Sequence, residues 1–181
     1  SKKKSIMEWR RRVGEDEANK ISKRASTRGN KTHKLAELYL SNKDISKYKD
    51  DVMSMGLFHL IKPHIDSINN IHALEAPLYS KTLKLAGRVD CIAEYNGELA
   101  IIDFKTSTKN KREEWIQDYF AQECAYAIMF QELTGLKVKK LVTIIACETG
   151  EAQVFEIYDK FKYARKLKEY IDAYREAHGE W

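Results

Sequence analysis

The sequence has few cysteines, no long apolar run and no internal repeat, and each of these absences excludes a class of protein. Its three cysteines, Cys91, Cys124 and Cys147, are too far apart to suggest a disulfide framework. No apolar run approaches the length of a membrane span, and no signal-peptide core is present. Low-complexity segments and a Gly-rich phosphate-binding loop are also lacking. The sequence therefore predicts a globular protein of an intracellular, reducing compartment.

The 181 residues are enough to bury a core without a structural metal, and they predict one domain. We divide it into a basic helical part (1–70), a catalytic sheet with its helix (71–158) and a C-terminal helix (159–181). Helices are predicted over 5–26 and 27–40, with a break near Gly29, and over 52–61, 112–133 and 160–177. Strands are predicted over 71–78, 82–95, 98–106, 139–147 and 152–158.

Local sequence patterns define three of these boundaries. Asn96-Gly97 between two alternating segments is typical of a two-residue hairpin turn. Lys62-Pro63 is expected to end its helix, with a short helical turn over 64–69, and Thr134-Gly135 is expected to end the long one. The pattern favours an α/β fold in which helices flank a central mixed sheet, with a helical segment at the N-terminus.

Two predicted neighbouring strands carry charged residues in otherwise apolar surroundings. Gly87-Arg88-Val89-Asp90 lies on the first strand, and Ile101-Ile102-Asp103-Phe104-Lys105 lies on the second. Asp103 and Lys105 are two residues apart, so their side chains leave the same face. Burying them without partners is costly, and a divalent metal with a phosphate would supply those partners. A cross-strand Asp–Lys ion pair is the simpler alternative.

Two helical segments add candidate residues. His33 and Glu37 share a helical face, and an imidazole beside carboxylates is a reasonable ligand for a metal of the Mn²⁺ type. Gln122 and Tyr126 are also four residues apart, and they could face the strand that carries Lys105. Taken alone, each pair is as well explained by ordinary surface or core residues.

Four short motifs in this order resemble the RecB-like branch of the PD-(D/E)XK nuclease superfamily. They are Gly-X3-His-X3-Glu (Gly29, His33, Glu37), Gly-Arg-X-Asp (Gly87 to Asp90), Asp-X-Lys (Asp103, Lys105) and Gln-X3-Tyr (Gln122, Tyr126). Three further segments are similar to the mitochondrial genome maintenance exonuclease group and its phage relatives: Ala73-Leu74-Glu75, Asp90 to Tyr95 with Gly97, and Ile102 to Ser107. The resemblance implies a restriction-endonuclease-like core.

The resemblance also implies roles for individual residues. His33, Asp90, Asp103 and the Phe104 backbone carbonyl would bind Mg²⁺ or Mn²⁺, and Asp90, Asp103 and Lys105 would form the catalytic set. Lys105 could orient or deprotonate the attacking water, or stabilise charge on the phosphate. Accessory or substrate-binding roles are expected for Glu37, Gln122, Tyr126, Arg28 and Ser107. The three scattered cysteines do not suit the iron–sulfur cluster of some branch members, so no cluster is expected.

Positive charge is concentrated in the first part of the chain. The net charge is +5, but residues 1–50 hold 15 Lys and Arg against 7 Asp and Glu, a net of +8, and the remainder carries −3. Beside the nuclease motifs, this segment favours a path for a DNA backbone over a merely solvated helix face. Aromatic residues could stack on unpaired bases, although most are expected to lie in the core and only one or two to touch DNA. The candidates are Trp9, Tyr39, Tyr48, Phe58, Trp115, Tyr119 and Tyr126.

Together these observations predict a metal-dependent exonuclease that degrades single-stranded DNA from its ends, in replication, repair or recombination. The alternatives are a recombination exonuclease acting on duplex, a flap endonuclease and a catalytically inactive single-strand-binding module. DNA, and proteins of replication or recombination, are the expected partners, and no membrane is expected. A bacterial or phage-infected cytoplasm is the simpler location. Because the chain starts at Ser1, an organellar matrix and a removed targeting segment stay open.

Overall fold

A computed structural model describes residues 2–179, so Ser1 and the last two residues of the expected 159–181 segment lie outside it. Five α-helices are present in this part of the chain: α1 (Lys2–Val13), α2 (Glu15–Leu40), α3 (Val52–Ile65), α4 (Gln117–Thr134) and α5 (Lys160–His178). The strands are β1 (Ile68–Ser80), β2 (Leu85–Tyr95), β3 (Glu98–Ser107), β4 (Lys140–Cys147) and β5 (Ala152–Ile157).

The five strands form one mixed sheet in the order β1-β2-β3-β4-β5. Strands β3 and β4 are parallel, and the other neighbouring pairs are antiparallel. Helix α4 makes the crossover between the two parallel strands, as a parallel connection requires. The predicted α/β fold with a central mixed sheet, flanking helices and an N-terminal helical segment is confirmed.

Each face of the sheet has its own hydrophobic core. Residues of α2 and α3, including Leu35 and Phe58, pack against one face, and residues of α4 and α5, including Phe120 and Leu167, pack against the other. Strand β3 contributes to both cores, because Ile102 faces the first and Ile101 faces the second. Burial on both faces explains the apolar character of this strand.

The hairpin between β2 and β3 turns at Asn96-Gly97, as the sequence predicts. Both residues have positive φ angles, 50° and 83°, which a type I′ turn requires. The turn fixes the pairing of β2 with β3, and it therefore determines which of their side chains lie opposite each other.

The expected helix break near Gly29 is wrong. Helix α2 runs unbroken from Glu15 to Leu40, and the chain breaks earlier, at Gly14, whose φ is 88°. Gly29 instead lies at a close packing contact, because a Cβ atom there would lie 3.0 Å from Thr106 Oγ1 on β3. Its missing side chain lets α2 approach the sheet closely, next to the segment that carries His33.

The predicted end of α3 at Lys62-Pro63 is also wrong. Pro63 lies within the last turn of α3, which continues to Ile65, and the expected helical turn over 64–69 is replaced by the start of β1 at Ile68. The N–H of Asp66 still reaches the Lys62 carbonyl at 2.9 Å, so the turn closes after the proline. Burial of Ile61 and Ile65 in the core offsets the proline's cost.

The remaining boundaries differ by a few residues. Helix α4 begins at Gln117 instead of near residue 112, because Glu113–Trp115 forms a separate 3₁₀ turn, and α4 ends at Gly135 in a left-handed conformation. Helix α5 starts after Asp159, whose side chain accepts a hydrogen bond from the Lys162 N–H. Within residues 2–179, every helix is too short or too polar to cross a membrane.

Candidate active site

Three carboxylates lie in a row across β1, β2 and β3. Strands β1 and β2 pair Leu74 with Cys91 and Ala76 with Val89, so Glu75 lies opposite Asp90. Strands β2 and β3 are paired from Tyr95 opposite Glu98 to Cys91 opposite Ile102. One residue further in the same register, Asp90 lies opposite Asp103. Like charges directly opposite each other destabilise a sheet, so this row needs a compensating partner.

The backbone is irregular where this row crosses β2. Leu74 and Cys91 pack in the α2–α3 core, whereas Ala76 and Val89, each two positions further along its strand, pack in the α4–α5 core. Between these two pairs the regular alternation of side chains is interrupted in both strands, so residues two positions apart face opposite sides of the sheet. Glu75 and Asp90 lie at this change of phase, and Glu75 has a φ of 49°, an uncommon value for a residue other than glycine.

The same irregularity opens a gap between β2 and β3. The Phe104 N–H donates a hydrogen bond of 2.9 Å to Asp90 Oδ2, a side-chain acceptor. The N–H and C=O of one strand residue point to the same side of the strand, so the Phe104 carbonyl is also directed toward this gap.

His33 reaches the carboxylate row from α2. Its Nε2 atom lies 2.8 Å from Asp90 Oδ1 and 2.8 Å from Glu75 Oε1. These three side chains form a group whose potential ligand atoms lie within 4.8 Å of one another. Glu75 also pairs with Arg88, whose Nε lies 3.0 Å from Glu75 Oε2.

Lys105 and Glu123 complete the charged group on the α4 side of the sheet. Lys105 Nζ forms an ion pair with Asp103 Oδ2 at 3.0 Å and lies 4.9 Å from the centre of the Tyr119 ring. Glu123 projects from α4 and accepts a hydrogen bond of 2.6 Å from Thr143 Oγ1, and Thr143 is the neighbour of Asp103 on β4. Glu123 is fully buried.

Burial and mutual repulsion raise the pKa values of these acids, and hydrogen bonds lower them. Burial, followed by the charge of Asp90, raises the pKa of Asp103 well above its usual range. For Asp90, burial acts in the same direction, but hydrogen bonds from His33 and Asp103 outweigh it and lower the pKa. Burial and the charge of Asp103 also raise the pKa of Glu123 well above the usual range.

The two cationic partners respond to the same acids. The hydrogen bond to Asp90 raises the pKa of His33, against the opposing effect of burial. Burial disfavours the charged form of Lys105, but Asp103 and Asp90 outweigh it, so the pKa of Lys105 is raised. Lys105 therefore stays positively charged at neutral pH.

The chemistry of this group fits a hard divalent cation. Among the described residues, Glu123 Oε2 has no hydrogen-bond partner, and the contact of Asp103 Oδ2 is the ion pair with Lys105. Carboxylate oxygens are the ligands that Mg²⁺ and Mn²⁺ prefer, and the imidazole of His33 is compatible with Mn²⁺. A cation at the row would relieve the repulsion that raises the pKa of Asp103.

The Gln122–Tyr126 pair lies on α4 beside β2. Gln122 Nε2 donates a hydrogen bond of 3.3 Å to the Tyr126 hydroxyl, and the Tyr126 ring packs over Gly87. A Cβ atom at Gly87 would lie 2.8 Å from Tyr126 Cε1, so glycine is required for this contact. Burial raises the pKa of Tyr126, as do the charges of Asp103 and Asp90, so the hydroxyl lies in the field of the carboxylates.

Three other candidates from the sequence lie at different distances from this centre. Glu37 forms an ion pair with Lys34 at 3.1 Å, and its charge contributes to the raised pKa of Glu75. Arg28 pairs with Glu148 at 2.6 Å after β4. Ser107 bonds to the backbone of Lys109, and together with Arg28 it lines a small cavity of about 70 Å³. These last two residues are not among the groups that contact the carboxylate row.

Sequence reasoning assigned no role to Glu75 or Glu123. Glu75 was recognised only as part of a matching segment, because the strand pairing that places it opposite Asp90 is not visible in the sequence. Glu123 could have been noticed, since it is a lone charge within the apolar face of α4. The three cysteines are buried in the two cores, and burial raises the pKa of Cys91 to about 12, which suits inert core residues.

Comparison with known proteins identifies the class to which this site belongs. A family model described as the PD-(D/E)XK nuclease superfamily matches residues 8–181. The chain belongs to this superfamily of metal-dependent nucleases, as the resemblance of its motifs implied.

More particular relatives carry the name mitochondrial genome maintenance exonuclease 1. The chain is 31% identical to the Homo sapiens protein over 108 residues, 32% to that of Mus musculus over 107 and 30% to that of Xenopus tropicalis over 119. These matches cover 57%, 57% and 66% of this chain. The chain spans about a third of the length of the curated relatives it matches, because the same matches cover 31%, 32% and 33% of them.

The fold has a counterpart among solved structures. A crystal structure of a candidate exonuclease from Eubacterium rectale superimposes with a TM-score of 0.52 at 13% identity, covering 78% of this chain and 64% of that one. At this identity the similarity concerns the fold alone.

Proposed function

We propose that the chain is a Mg²⁺- or Mn²⁺-dependent exonuclease that hydrolyses single-stranded DNA from its ends. The observation that carries the proposal is the row of Glu75, Asp90 and Asp103, with His33 above it and Lys105 beside it. The exonuclease names of its relatives support the same activity.

We assign the metal site to His33, Asp90, Asp103 and the Phe104 carbonyl, and we add Glu75 because its carboxylate contacts His33. When bound, the divalent ion would neutralise charge on the scissile phosphate and make a water more acidic. The protein's own contribution is to hold these ligands at the gap between β2 and β3. Glu37 would orient neighbouring polar groups, and Gln122, Tyr126, Arg28 and Ser107 would contact the DNA.

Lys105 has the role of a charged donor in this proposal. Its raised pKa keeps the ammonium protonated, so it can donate hydrogen bonds to the phosphate and stabilise the charge that develops there. A general base would need a pKa near the working pH, and the acids around Lys105 shift it the other way. Of the alternatives open in the sequence, charge stabilisation fits best.

Single-stranded DNA is the preferred substrate in the proposal because basic and aromatic side chains occur together near Lys105. Tyr119 lies against Lys105. Trp115, in the 3₁₀ turn before α4, has Lys109 and Arg112 over its ring. Aromatic faces can stack only on bases that are not already stacked in a duplex. We place the activity in DNA replication, repair or recombination, in an intracellular reducing compartment.

The decisive experiment compares linear and circular single-stranded DNA. Purified protein with Mg²⁺ or Mn²⁺ should degrade an end-labelled linear strand and leave a closed circle intact, and EDTA should stop the reaction. The label shows from which end degradation starts. Cutting of the circle would show that the protein is an endonuclease. Cleavage of duplex alone would favour a recombination exonuclease, and cleavage of flap substrates alone would favour a flap endonuclease.

Substitutions at the site test the assignment of residues. Asp103→Ala and Lys105→Ala should each abolish cleavage while single-strand binding in EDTA stays close to that of the parent protein. Lys81→Ala, in the turn between β1 and β2, removes one exposed positive charge as a matched control and should cleave normally. Unchanged turnover in both site variants would refute the assignment, and binding without turnover in the parent protein would favour an inactive DNA-binding module.

A further inference from the structure

A second feature lies next to the carboxylate row, on the side of Lys105. The loop after β3, the start of α4 and one face of α5 enclose an open cleft of about 950 Å³. Its lining residues include four lysines and three aromatic side chains: Lys2, Lys109, Lys111, Lys166, Trp115, Tyr119 and Tyr170. Its acids are Glu114 and Asp118, and Asp118 is paired with Lys2 at 3.2 Å. The cleft therefore suits an anionic ligand that also has flat apolar faces.

Trp115 is the most unusual residue in this cleft. It is 48% exposed, which is a large exposure for a tryptophan in a small domain. Lys109 Nζ and Arg112 Cζ lie 5.8 Å and 5.2 Å from the centre of its ring. Cations beside an exposed indole form a surface on which a base can stack while its phosphates meet positive charge.

Tyr119 connects the cleft to the candidate active site. Tyr119 lines it, and the ring of Tyr119 lies 4.9 Å from Lys105 Nζ. Trp115 and Tyr119 are four residues apart across the start of α4, where the Tyr119 N–H bonds to the Ile116 carbonyl. A strand in the cleft would therefore pass from Trp115 over Tyr119 to the ammonium of Lys105.

The loop that carries the lysines is held in place before any ligand arrives. The Lys111 N–H donates to Gln153 Oε1 at 2.8 Å, and Gln153 Nε2 donates back to the Lys111 carbonyl at 2.9 Å. Asn110 Nδ2 donates to Glu151 Oε2 at 2.6 Å. These bonds attach the loop to the β4–β5 turn, so less ordering is required on binding.

We propose that this cleft is the binding subsite for the unpaired DNA strand next to the scissile phosphate. Trp115 stacks on a base, and Lys109 and Lys111 contact the backbone. The inference rests on the proposed function, because it takes the substrate to be single-stranded DNA. It assigns the preference for single strands to Trp115, since a duplex has no unstacked base to offer.

Binding without turnover tests the subsite directly. The probe is a fluorescein-labelled oligothymidine of about twenty nucleotides, with EDTA present, and the readout is anisotropy. Loss of base stacking in Trp115→Ala should weaken binding about 5- to 150-fold, which is the effect of 1–3 kcal/mol per base. Trp115→Phe should restore most of the affinity. Phe161→Ala removes an aromatic side chain that is 79% exposed and outside this cleft, and it should bind as the parent does.

Two further probes separate stacking from phosphate binding. Against a base-free deoxyribose-phosphate strand or a blunt duplex, Trp115→Ala should bind like the parent protein. An affinity for oligothymidine within about twofold of the parent, or an equal loss on all three probes, would overturn the subsite. Normal cleavage with an unchanged affinity in Trp115→Ala would refute the subsite alone. Weakened binding in a protein that never cleaves would support the subsite and refute the proposed function.

Discussion

Glu75 is held in a conformation that its residue type disfavours. Its φ of 49° costs on the order of 1 kcal/mol for a residue with a side chain, and its carboxylate contacts both His33 and Arg88. Backbone strain of this kind persists only where the surroundings fix it, and it is common at functional sites. Like Glu123, this strained residue has no role assigned from its local sequence.

We predict that Glu75→Gln weakens metal binding. The amide keeps the shape of the side chain but removes the negative charge beside His33, so the Mn²⁺ concentration for half-maximal cleavage should rise about 10- to 100-fold. A titration of activity with Mn²⁺ measures this. The matched control is Arg88→Ala, which breaks an ion pair in which Arg88 is 66% exposed, and it should change that concentration less than about fivefold. Equal effects of the two variants would contradict a ligand role for Glu75.

The raised pKa of Asp103 predicts that the free energy of unfolding falls with rising pH when no metal is bound. A carboxyl whose pKa is raised by folding holds more protons in the folded than in the unfolded state. Stability is therefore complete below the ordinary carboxyl pKa and falls as the pH rises toward the raised value. A divalent cation that replaces the proton should remove this loss.

We predict that Asp103→Asn stabilises the protein in EDTA at pH 8, by on the order of 1–3 kcal/mol. The neutral side chain removes the repulsion with Asp90, and Lys105 keeps Asp90 as a neighbouring negative charge. Urea unfolding at pH 8 and pH 4 measures the difference, which should shrink at the lower pH. The variant should also lose the stabilisation that Mn²⁺ gives the parent. Destabilisation at pH 8 would contradict this account.

At the scale of elements, the packing of α4 against β2 depends on a glycine, Gly87, which contacts the Tyr126 ring. A Cβ atom at Gly87 would lie 2.8 Å from Cε1 of the Tyr126 ring, and Tyr126 is only 7% exposed, so the ring has little room to move. We predict that Gly87→Ala destabilises the protein by about 1–3 kcal/mol through overpacking and slows cleavage by displacing Tyr126. Urea unfolding and the rate of strand degradation measure the two effects.

Gly56 provides the control for that substitution. It lies in α3 with an open space where a Cβ atom would be, so Gly56→Ala should stabilise the protein by about 0.5–1 kcal/mol without altering cleavage. If the two glycine variants have the same stability and the same rate of strand degradation, the contact between Gly87 and Tyr126 contributes to neither.

The order of the elements was predictable from the sequence because each has a strong local pattern. Asn96-Gly97 predicts the central hairpin, and Asp-X-Lys on β3 points to the carboxylate row of the candidate site. The break in the N-terminal helices was misplaced because Gly29 serves packing against Thr106, a contact between distant residues. For the same reason the partnership of Glu75 with His33 depends on strand register and not on local sequence. Local patterns predict elements, whereas long-range contacts decide which side chains meet.

At the scale of the whole molecule, positive charge extends along α2 toward His33. Lys20, Lys23 and Arg24 line a groove of about 450 Å³ on the exposed part of this helix. We predict that replacing all three with Gln reduces the slope of log Kd against log salt for single-stranded DNA by roughly two, at about 0.7 for each lost phosphate contact. Anisotropy measured at several salt concentrations gives the slope.

A second triple variant tests whether location matters as well as net charge. Lys81, Lys137 and Lys139 are exposed lysines outside that groove, and replacing them with Gln removes the same number of charges. This variant should keep the slope of the parent protein. A similar reduction in both variants would mean that DNA responds to the overall charge and follows no path along α2.

The change of phase between β1 and β2 limits how this protein could be improved by design. A design that made the alternation of side chains regular along β1 and β2 would remove the strained backbone at Glu75 and would stabilise the protein. The same regularity would turn the side chain of Glu75 or Asp90 away from His33, which contacts both of them. The most ideal version of this sheet would thus be an inert one, and a useful thermostable variant should be sought by changes elsewhere in the chain.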